Sequence, residues 1–417
     1  MSEQAPTPAP PPAEPGTAPS VSARLAIYQR AGGVVTPLIT ALLAFLIAGL
    51  VVLVLSGKNP LSTYKEIFNG TGLNWLFPWD TTCSVRDPGD ELCLAAGNLQ
   101  QTLIQFTVLV LTGLAVAFAF RCRLFNIGGQ GQYIVGTITA VQIGVWFDFL
   151  PSALHILVAV VAAGLAGALW AGIAGFLKAT VGAHEVITTI MLNWISIWGV
   201  GYLIGFGGPL QDPVSAAQGV SLSKEISEGA HLPVFWGNPL LQGLHIGLFV
   251  ALGALVVYSI VLNRTTLGYE VRAVGFNPEA AAYGGISVKR NYVTAMAVSG
   301  AFAGVAGSMD ILGWQFRLDE TSVTNYSYIA FLGIAVALLG RNTAVGIFFA
   351  ALLFAALRIA TSTRNLNPDV FPPELAGNLT ELIQGLVVIF VGAELLILSV
   401  WAARKRLKVP GRGRMEP

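Results

Sequence analysis

The polar stretch Asn263-Arg-Thr-Thr-Leu-Gly-Tyr-Glu-Val-Arg-Ala-Val-Gly-Phe-Asn-Pro-Glu-Ala-Ala-Ala-Tyr-Gly-Gly-Ile-Ser-Val-Lys-Arg290 separates two apolar runs, 241–262 and 291–312. Each run is long enough to cross a bilayer as a helix, which takes roughly 20 apolar residues. The stretch therefore predicts two membrane spans joined by a polar loop, and the same alternation of apolar runs and polar loops continues along the chain in both directions.

Composition places the whole chain in a membrane. Of its 417 residues, 54% are hydrophobic and only 11% are charged. Soluble domains carry roughly 25% charged residues. Long uncharged apolar runs at this charge level are typical of an integral membrane protein.

The polar loop contains the signals of a short helix. Asn277 can cap it, Pro278 fits its first position and Glu279 favours its positive end. Ala280 to Ala282 propagate the helix, and the glycines at 284 and 285 can end it. A helix of one or two turns is unstable alone in water, so its place between two spans suggests a handle for a cytoplasmic partner. An ordinary capped loop is the alternative.

The predicted fold class is all-α, a polytopic membrane protein of about ten transmembrane helices. The runs at 326–340 and 344–360 are short, and they are either half-helices or steeply packed segments. The pairs Gly201/Gly205 and Gly300/Gly304 are interpreted as helix-crossing positions. The ten predicted spans are 34–55, 99–120, 125–147, 152–177, 186–206, 241–262, 291–312, 326–340, 344–360 and 380–402.

The distribution of basic residues predicts the orientation. Sixteen of the 23 Lys and Arg residues fall on one side of these spans, and that side is expected to be cytoplasmic. Both termini and the 263–290 loop then lie in the cytoplasm. The predicted parts are a disordered Pro/Ala-rich cytoplasmic tail at 1–30, a transmembrane domain at 31–406, external loops at 56–98 and 207–240, and a basic cytoplasmic tail at 407–417.

Cysteine usage leaves one question open. Cys83 and Cys93 fall in the external 56–98 loop, where an oxidising exterior would allow them to pair. Two unpaired thiols are the alternative. Cys122 falls on the cytoplasmic side and is expected to be a free thiol.

Motifs for covalent chemistry and for ATP binding are absent from the sequence. It contains no Gly-x-x-x-x-Gly-Lys-Ser/Thr loop, no Gly-x-Ser-x-Gly elbow and no Cys/His cluster with metal-ligand spacing. Of the acidic residues near spans, Asp310 and Glu381 lie near predicted outer ends and Glu394 lies deeper. Coupling to an ion gradient normally needs buried charges, so the pattern favours an energy source outside this chain and no enzymatic activity within it.

Two polar clusters interrupt the apolar runs. In Phe125-Asn-Ile-Gly-Gly-Gln-Gly-Gln-Tyr133, three glycines weaken a helix, and irregular backbone in a membrane must be covered by protein or line a cavity. In the second cluster, Glu185, Thr188, Thr189 and Asn193 recur on one helical face. The alternatives are contact with a solute and hydrogen bonding to neighbouring helices alone. The candidate solute path comprises Asn126, Gln130, Gln132, Thr189 and Asn193, with Trp194 and Trp198 as aromatic surfaces for stacking.

Five motifs in order resemble the permease subunits of ATP-binding cassette (ABC) importers. They lie at Gly57–Pro60, Leu124–Gln132, His184–Asn193, Arg272–Ala281 and Gly333–Gly340. The nearest group is the branched-chain amino acid/ribose-type permeases, and within it the nucleoside (purine/pyrimidine) permeases. The resemblance covers about 34–406. The family pattern usually has Glu where this chain has Gln130.

The resemblance implies a permease subunit that forms the translocation path for a polar solute, with nucleosides first. It implies no cofactor on this chain, because ATP and Mg²⁺ belong to a cytoplasmic ATP-binding partner. The other implied partners are a second permease subunit in a heterodimer, an extracytoplasmic solute-binding lipoprotein and membrane lipids, but no nucleic acid. The implied location is the bacterial cytoplasmic membrane. The residues that match the ATPase-docking region are Asn277, Pro278, Glu279, Ala280, Ala281, Tyr283 and Gly284.

Other functions stay open at this point. Sugars or branched-chain amino acids could be the solute of the same kind of importer. A secondary carrier or channel would use the 263–290 loop only as a connection, and a membrane scaffold would transport nothing. Dependence of uptake on a separate ATPase chain separates the importer from the other two.

Overall fold

The computed structural model describes residues 42–54, 57, 59–77, 94–238, 242–319, 323, 327–361, 378, 381–386 and 389. The predicted Cys83–Cys93 disulfide, both predicted tails and most of the predicted span 380–402 lie outside these residues.

The described chain is built almost entirely from helices. Those that precede the predicted 207–240 loop are α1 (Leu42–Val54), α2 (Pro60–Gly70), α3 (Leu94–Arg121), α4 (Gly129–Trp146), α5 (Ser152–Val181) and α6 (Glu185–Ile204). Those that follow are α7 (Pro213–Ala217), α8 (Gly247–Arg264), α9 (Thr266–Phe276), α10 (Pro278–Tyr283), α11 (Val288–Asp310), α12 (Ile329–Leu339) and α13 (Ala344–Ala360). A π-helical turn, Ile311–Gln315, continues α11.

Both loops that we predicted as external contain structure. The first holds α2, which is capped by Asn59 and starts with Pro60, and a 3₁₀ turn at Leu73–Leu76. The second holds α7 and a 3₁₀ turn at Glu228–Ala230. Strand β1 (Val234–Trp236) then pairs antiparallel with β2 (Leu244–His245).

Within the described residues, five helices are long and apolar enough to cross a membrane: α3, α5, α6, α8 and α11 with its π-turn. Helices α1, α12 and α13 are shorter apolar helices. The expectation of a predominantly helical, multi-pass membrane protein is therefore confirmed apart from the short β1–β2 pair, whereas the number of ten spans stays a prediction.

Helix α3 is the centre of the packing. It lies against α8, α11, α12 and α13 and is buried almost throughout. Helices α5 and α6 instead keep large apolar side chains exposed along one side, such as Leu165, Leu169 and Trp198. An apolar exposed face is expected where a helix meets lipid or another membrane subunit.

Small residues bring α5 and α11 into close contact. A Cβ at position 300 would lie 2.2 Å from the Gly167 carbonyl oxygen, and one at position 304 would lie 2.2 Å from the Ala163 carbonyl oxygen. The interpretation of Gly300/Gly304 as a helix crossing is confirmed. The same interpretation of Gly201/Gly205 is wrong, because Gly205 follows the last residue of α6 and its nearest neighbour is the Gly201 carbonyl of its own helix.

Candidate translocation and coupling sites

The first polar cluster forms a break between α3 and α4. Residues 122–128 are not helical, and α4 begins only at Gly129, not at the predicted 125. The Asn126 side-chain oxygen accepts a hydrogen bond from the Gly128 N–H at 2.9 Å, and the Leu124 N–H donates to the Ala119 carbonyl at 3.1 Å. Backbone groups released from a helix inside a membrane need such partners.

The side-chain amides of Asn126 and Gln132 bond to each other across the break. The Asn126 amide nitrogen donates to Gln132 Oε1 at 2.9 Å, and the Gln132 amide nitrogen donates back to Asn126 Oδ1 at 3.0 Å. Asn126 also donates to Ser299 Oγ of α11 at 2.7 Å, and Ser299 donates to the Ala115 carbonyl of α3. The pair therefore connects α3, α4 and α11 in the buried interior.

Helix α6 holds the break from the other side. Asn193 accepts a hydrogen bond from the Gly131 N–H at 2.8 Å and donates to the Ile127 carbonyl at 3.0 Å. Thr189 is fully buried beside Gly128, where a Cβ would lie 2.9 Å from the Thr189 Cβ. The predicted polar face of α6 therefore packs on the predicted glycine-rich segment.

The start of α4 meets the start of α12. Gln130 Nε2 donates to Ser327 Oγ at 2.9 Å, two residues before α12 begins. Helix α12 has only 11 residues, so it is about 16 Å long and covers roughly half of a 30 Å hydrocarbon core. Two helix N-termini, each carrying a partial positive charge, are thus joined in the buried interior of the bundle.

The structure brings five of the predicted path residues together and leaves two apart. Asn126, Gln130, Gln132, Thr189 and Asn193 are all buried around the break. Each of the four amide side chains has a hydrogen-bonding partner in the protein. Trp194 and Trp198 instead are 53% and 72% exposed on the outer face of α6.

Sequence reasoning missed Tyr133, Ser299 and Ser327, and it placed Asp310 only near an outer end. Asp310 is buried: the Tyr133 hydroxyl and the Trp314 indole N–H both donate to its carboxylate, the latter at 2.9 Å. The π-turn that follows Asp310 brings Trp314 to this position. An acidic residue inside a span was the available signal, but its partners are distant in sequence.

The short helix predicted in the 263–290 loop is confirmed as α10. Asn277 Oδ1 accepts hydrogen bonds from the N–H groups of Glu279 at 3.0 Å and Ala280 at 3.1 Å, and Pro278 occupies the first position. Gly285 takes a left-handed φ of 81° beyond the end of the helix. Ala281 is buried, whereas Tyr283 is 95% exposed beside an open hollow that Glu279 and Ala282 also line.

Helix α9, which sequence reasoning missed, fixes α10 to the spans. Thr265 caps it by accepting from the Gly268 N–H at 3.2 Å. Val271 and Val274 are fully buried, and a Cβ at Gly275 would lie 2.1 Å from the Arg121 carbonyl oxygen at the end of α3. The cap and the three-residue spacing of valines were available signals.

Glu185 starts α6, as its sequence position suggested. Its carboxylate lies 2.8 Å from Lys178 Nζ of α5. This ion pair joins the two helices at the end where we placed the cytoplasm, and it gives Glu185 a structural role at a helix N-terminus.

These features define a class of protein. A bundle of apolar helices, a buried and hydrogen-bonded break between two of them and a capped helical connection between spans are expected of a polytopic transport protein. Residues 98–392 match the family described as "Branched-chain amino acid transport system / permease component". The chain belongs to this family.

Curated relatives resemble the chain over most of its length. The guanosine ABC transporter permease protein NupP of Bacillus subtilis is 36% identical over 91% of this chain and 98% of its own. The nucleoside ABC transporter permease protein NupB of Lactococcus lactis is 33% identical over 90% and 95%. The glucose ABC transporter permease protein TsgB13 of Haloferax volcanii is 32% identical over 90% of each.

A second guanosine permease protein of Bacillus subtilis, NupQ, is also similar to the chain. It is 26% identical over 61% of this chain and 78% of its own. No solved structure matches the chain.

Proposed function

We propose that this chain is the permease subunit of an ABC importer that moves nucleosides across the bacterial cytoplasmic membrane. The observation that carries the proposal is the 36% identity to a guanosine permease over nearly the full length of both chains. The five motifs of the sequence fall within this match, and the bundle supplies spans and a buried polar segment at membrane depth.

A competition experiment tests whether the transported solute is a nucleoside. Uptake of labelled guanosine, adenosine and uridine is measured in cells that carry the whole system, with unlabelled nucleosides, glucose, ribose and leucine as competitors. We expect the nucleosides to compete and the others to leave uptake unchanged. Competition by a sugar or by leucine without competition by nucleosides would make the nucleoside assignment wrong. A sugar is the second candidate, because a glucose permease is 32% identical to the chain.

The energy would come from an ATP-binding partner that docks on α10. Four properties support this. The helix is short, it is capped, and it is attached to α3 through α9. Its side chains at 279, 280, 282 and 283 are exposed. A groove of the partner could therefore hold the helix and move it as a unit.

Substitution of exposed residues tests the docking without disturbing the fold. We expect Glu279→Arg and Tyr283→Ala to abolish uptake while the protein still reaches the membrane. Phe149→Ala is the matched control, since Phe149 is an aromatic residue that is 74% exposed in the turn between α4 and α5. Normal uptake and normal ATPase association in Tyr283→Ala would remove α10 as the docking helix.

The solute path would pass the break at Asn126, Gln130 and Gln132 and the polar face of α6. In the described conformation Asn126 and Gln132 bond to each other and Gln130 bonds to Ser327, so solute contact requires that these amides exchange partners when the bundle rearranges. Amides that can trade a protein partner for a solute replace the hydrogen bonds that a neutral solute loses on leaving water.

Single substitutions test this path. A buried donor or acceptor left without a partner costs roughly 1–3 kcal/mol, so Asn126→Ala or Gln130→Ala should slow transport about five- to a hundred-fold. Measured KM values separate solute contact from packing, because a group that touches the solute changes KM as well as the maximum rate. An unchanged KM in both variants would leave these amides a structural role only.

A second permease subunit would complete the importer. The two guanosine permease proteins of one bacterium, NupP and NupQ, are both similar to this chain, which supports a heterodimer. The exposed face of α6 that carries Trp194 and Trp198 offers apolar surface for such a partner. Purification of the tagged chain with a different permease, and not with a second copy of itself, is the expected result.

A further inference from the structure

A cleft of about 240 Å³ lies beside the polar loop, and no role proposed above uses it. Its walls come from the end of α3, the end of α8, helix α9 and the start of α13. Its lining includes Arg121, Tyr258, Arg272, Asn342, Thr343 and Val345.

The charge in this cleft is positive. Arg121 and Arg272 contribute two guanidinium groups, and among the described lining residues there is no Asp or Glu. Helix α13 begins here, with Thr343 accepting from the Gly346 N–H at 3.1 Å. The positive end of its dipole adds to the two arginines, so the cleft suits an anion.

The arginine at the base of the cleft is held in place. Arg121 Nη2 donates to the Asn342 carbonyl oxygen, and the Tyr258 hydroxyl donates to the same oxygen at 2.8 Å. The chain directs this carbonyl inward through two consecutive left-handed residues, Arg341 and Asn342, with φ of 52° and 53°. Such a backbone conformation is unfavourable for non-glycine residues and persists where the surroundings fix it.

The mouth of the cleft is apolar. Val345 at the start of α13 is 69% exposed, and Phe349 one turn further is also exposed. A positive base beside an exposed apolar rim at the end of two membrane helices is complementary to a molecule with an anionic head and an apolar chain.

We propose that this cleft binds the headgroup of an anionic phospholipid of the cytoplasmic leaflet, with its phosphate at Arg121 and Arg272 and its acyl chains along Val345 and Phe349. Basic pockets between membrane helices on the cytoplasmic side are suited to such headgroups. The bound lipid would join the ends of α8 and α13 next to α9, which carries α10.

The test counts lipids that the intact protein retains. The permease is purified together with the subunits that it assembles with, and bound phosphatidylglycerol and phosphatidylcholine of equal chain length are titrated by native mass spectrometry. Loss of one positive charge near the headgroup weakens attraction by about fivefold, from roughly 1 kcal/mol per basic residue. We therefore expect Arg272→Gln to lower phosphatidylglycerol retention about fivefold.

Arg264→Gln is the matched control. Arg264 also ends α8 and is exposed, but it does not line the cleft, so its variant should retain the lipid as the unsubstituted protein does. Equal retention in all three proteins, or equal retention of phosphatidylcholine, would overturn the proposal. Displacement of the lipid by millimolar inorganic phosphate would show a site for free anions and would overturn it as well.

Discussion

Individual side chains in this protein replace the hydrogen bonds that a continuous helix would have made. Asn193 shows this most directly. Its side-chain amide accepts a hydrogen bond from the Gly131 N–H in the first turn of α4 and donates one to the Ile127 carbonyl in the break before α4. Only a side chain with both a donor and an acceptor can do this. The geometry of the break therefore requires an amide side chain at position 193.

Removal of this amide should destabilise the protein. Asn193→Ala leaves two buried backbone groups without partners, at roughly 1–3 kcal/mol each, and we expect a melting temperature several degrees lower for the purified complex. Thr188→Ala is the control, since Thr188 is only half-buried on the same helix and its hydroxyl donates to the His184 carbonyl of its own helix. Similar melting temperatures for both variants would contradict the role given to Asn193.

A second residue should make stability depend on pH. His245 in β2 is buried, its Nδ1 accepts from the Gly247 N–H at 3.2 Å, and burial lowers its pKa to about 4. Its folded pKa lies below the unfolded value of about 6.5, so its neutral form is favoured in the folded state. The linked stability is present above pH 6.5 and is lost as the pH falls toward 4.

The variant His245→Asn keeps an acceptor near the Gly247 N–H but does not titrate. Melting temperatures at pH 7 and pH 5 should therefore fall further for the unsubstituted protein than for the variant. The difference corresponds to about 2 kcal/mol at pH 5, from the two pKa values. The same pH dependence in both proteins would mean that His245 does not titrate in this range.

Helices in this bundle are positioned by small residues more than by interlocking large ones. Helix α5 approaches α11 so closely at Gly300 and Gly304 that backbone lies against backbone. Close approach replaces the hydrophobic driving force that is absent between helices in lipid. The packed helices surround two irregular elements, which are the non-helical segment before α4 and the short helix α12.

A methyl group should therefore have opposite effects at two glycines. Gly304→Ala places a Cβ 2.2 Å from the Ala163 carbonyl oxygen, so it must separate α5 from α11, and overpacking of this kind costs about 1–3 kcal/mol. At Gly172 of α5, nothing lies within 4 Å of the added carbon, and Gly172→Ala should be neutral or stabilise the helix by up to about 1 kcal/mol.

Thermal unfolding of the two variants checks this expectation. A lower melting temperature for Gly304→Ala together with an unchanged or higher one for Gly172→Ala is the expected pattern. If both variants melt alike, the crossing of α5 and α11 is not the contact that limits stability.

At the scale of the whole molecule, the orientation of the bundle in the membrane stays a prediction. The α8 and α13 ends that line the basic cleft, the end of α3 and the α9–α10 connection all meet on one side of the bundle. Helix α7 and strand β1 belong to the loop predicted on the other side, whereas β2 lies in the predicted span 241–262, which becomes helical only at Gly247. The positive-inside pattern assigns the first of these sides to the cytoplasm.

Cysteine labelling from outside the cell checks the assignment. The background replaces Cys83 and Cys93 and keeps the buried Cys122. Both Ser62 in α2 and Ser287 before α11 are exposed. A membrane-impermeant thiol reagent should label Ser62→Cys in intact cells and should label Ser287→Cys only after permeabilisation. Labelling of position 287 in intact cells would place the 263–290 loop outside the cell and would contradict the predicted topology.

Part of this protein was determined by its sequence alone. Apolar runs and charge depletion established the membrane class, since burial in lipid depends on composition. The cap, proline and glycines of 277–285 defined α10, because capping depends on neighbours within a few residues. The sequence also identified Asn126, Gln130, Gln132, Thr189 and Asn193 as a polar set.

Tertiary structure decided which groups meet. The pairing of Gln130 with Ser327, of Asn126 with Ser299 and of Asp310 with Tyr133 joins residues 173 to 197 positions apart. No local pattern encodes such pairs, because they depend on how α4, α11 and α12 pack. The outward direction of Trp194 and Trp198 and the meeting of Arg121 with Arg272 in one cleft were decided in the same way, since helix rotation follows from packing against neighbours.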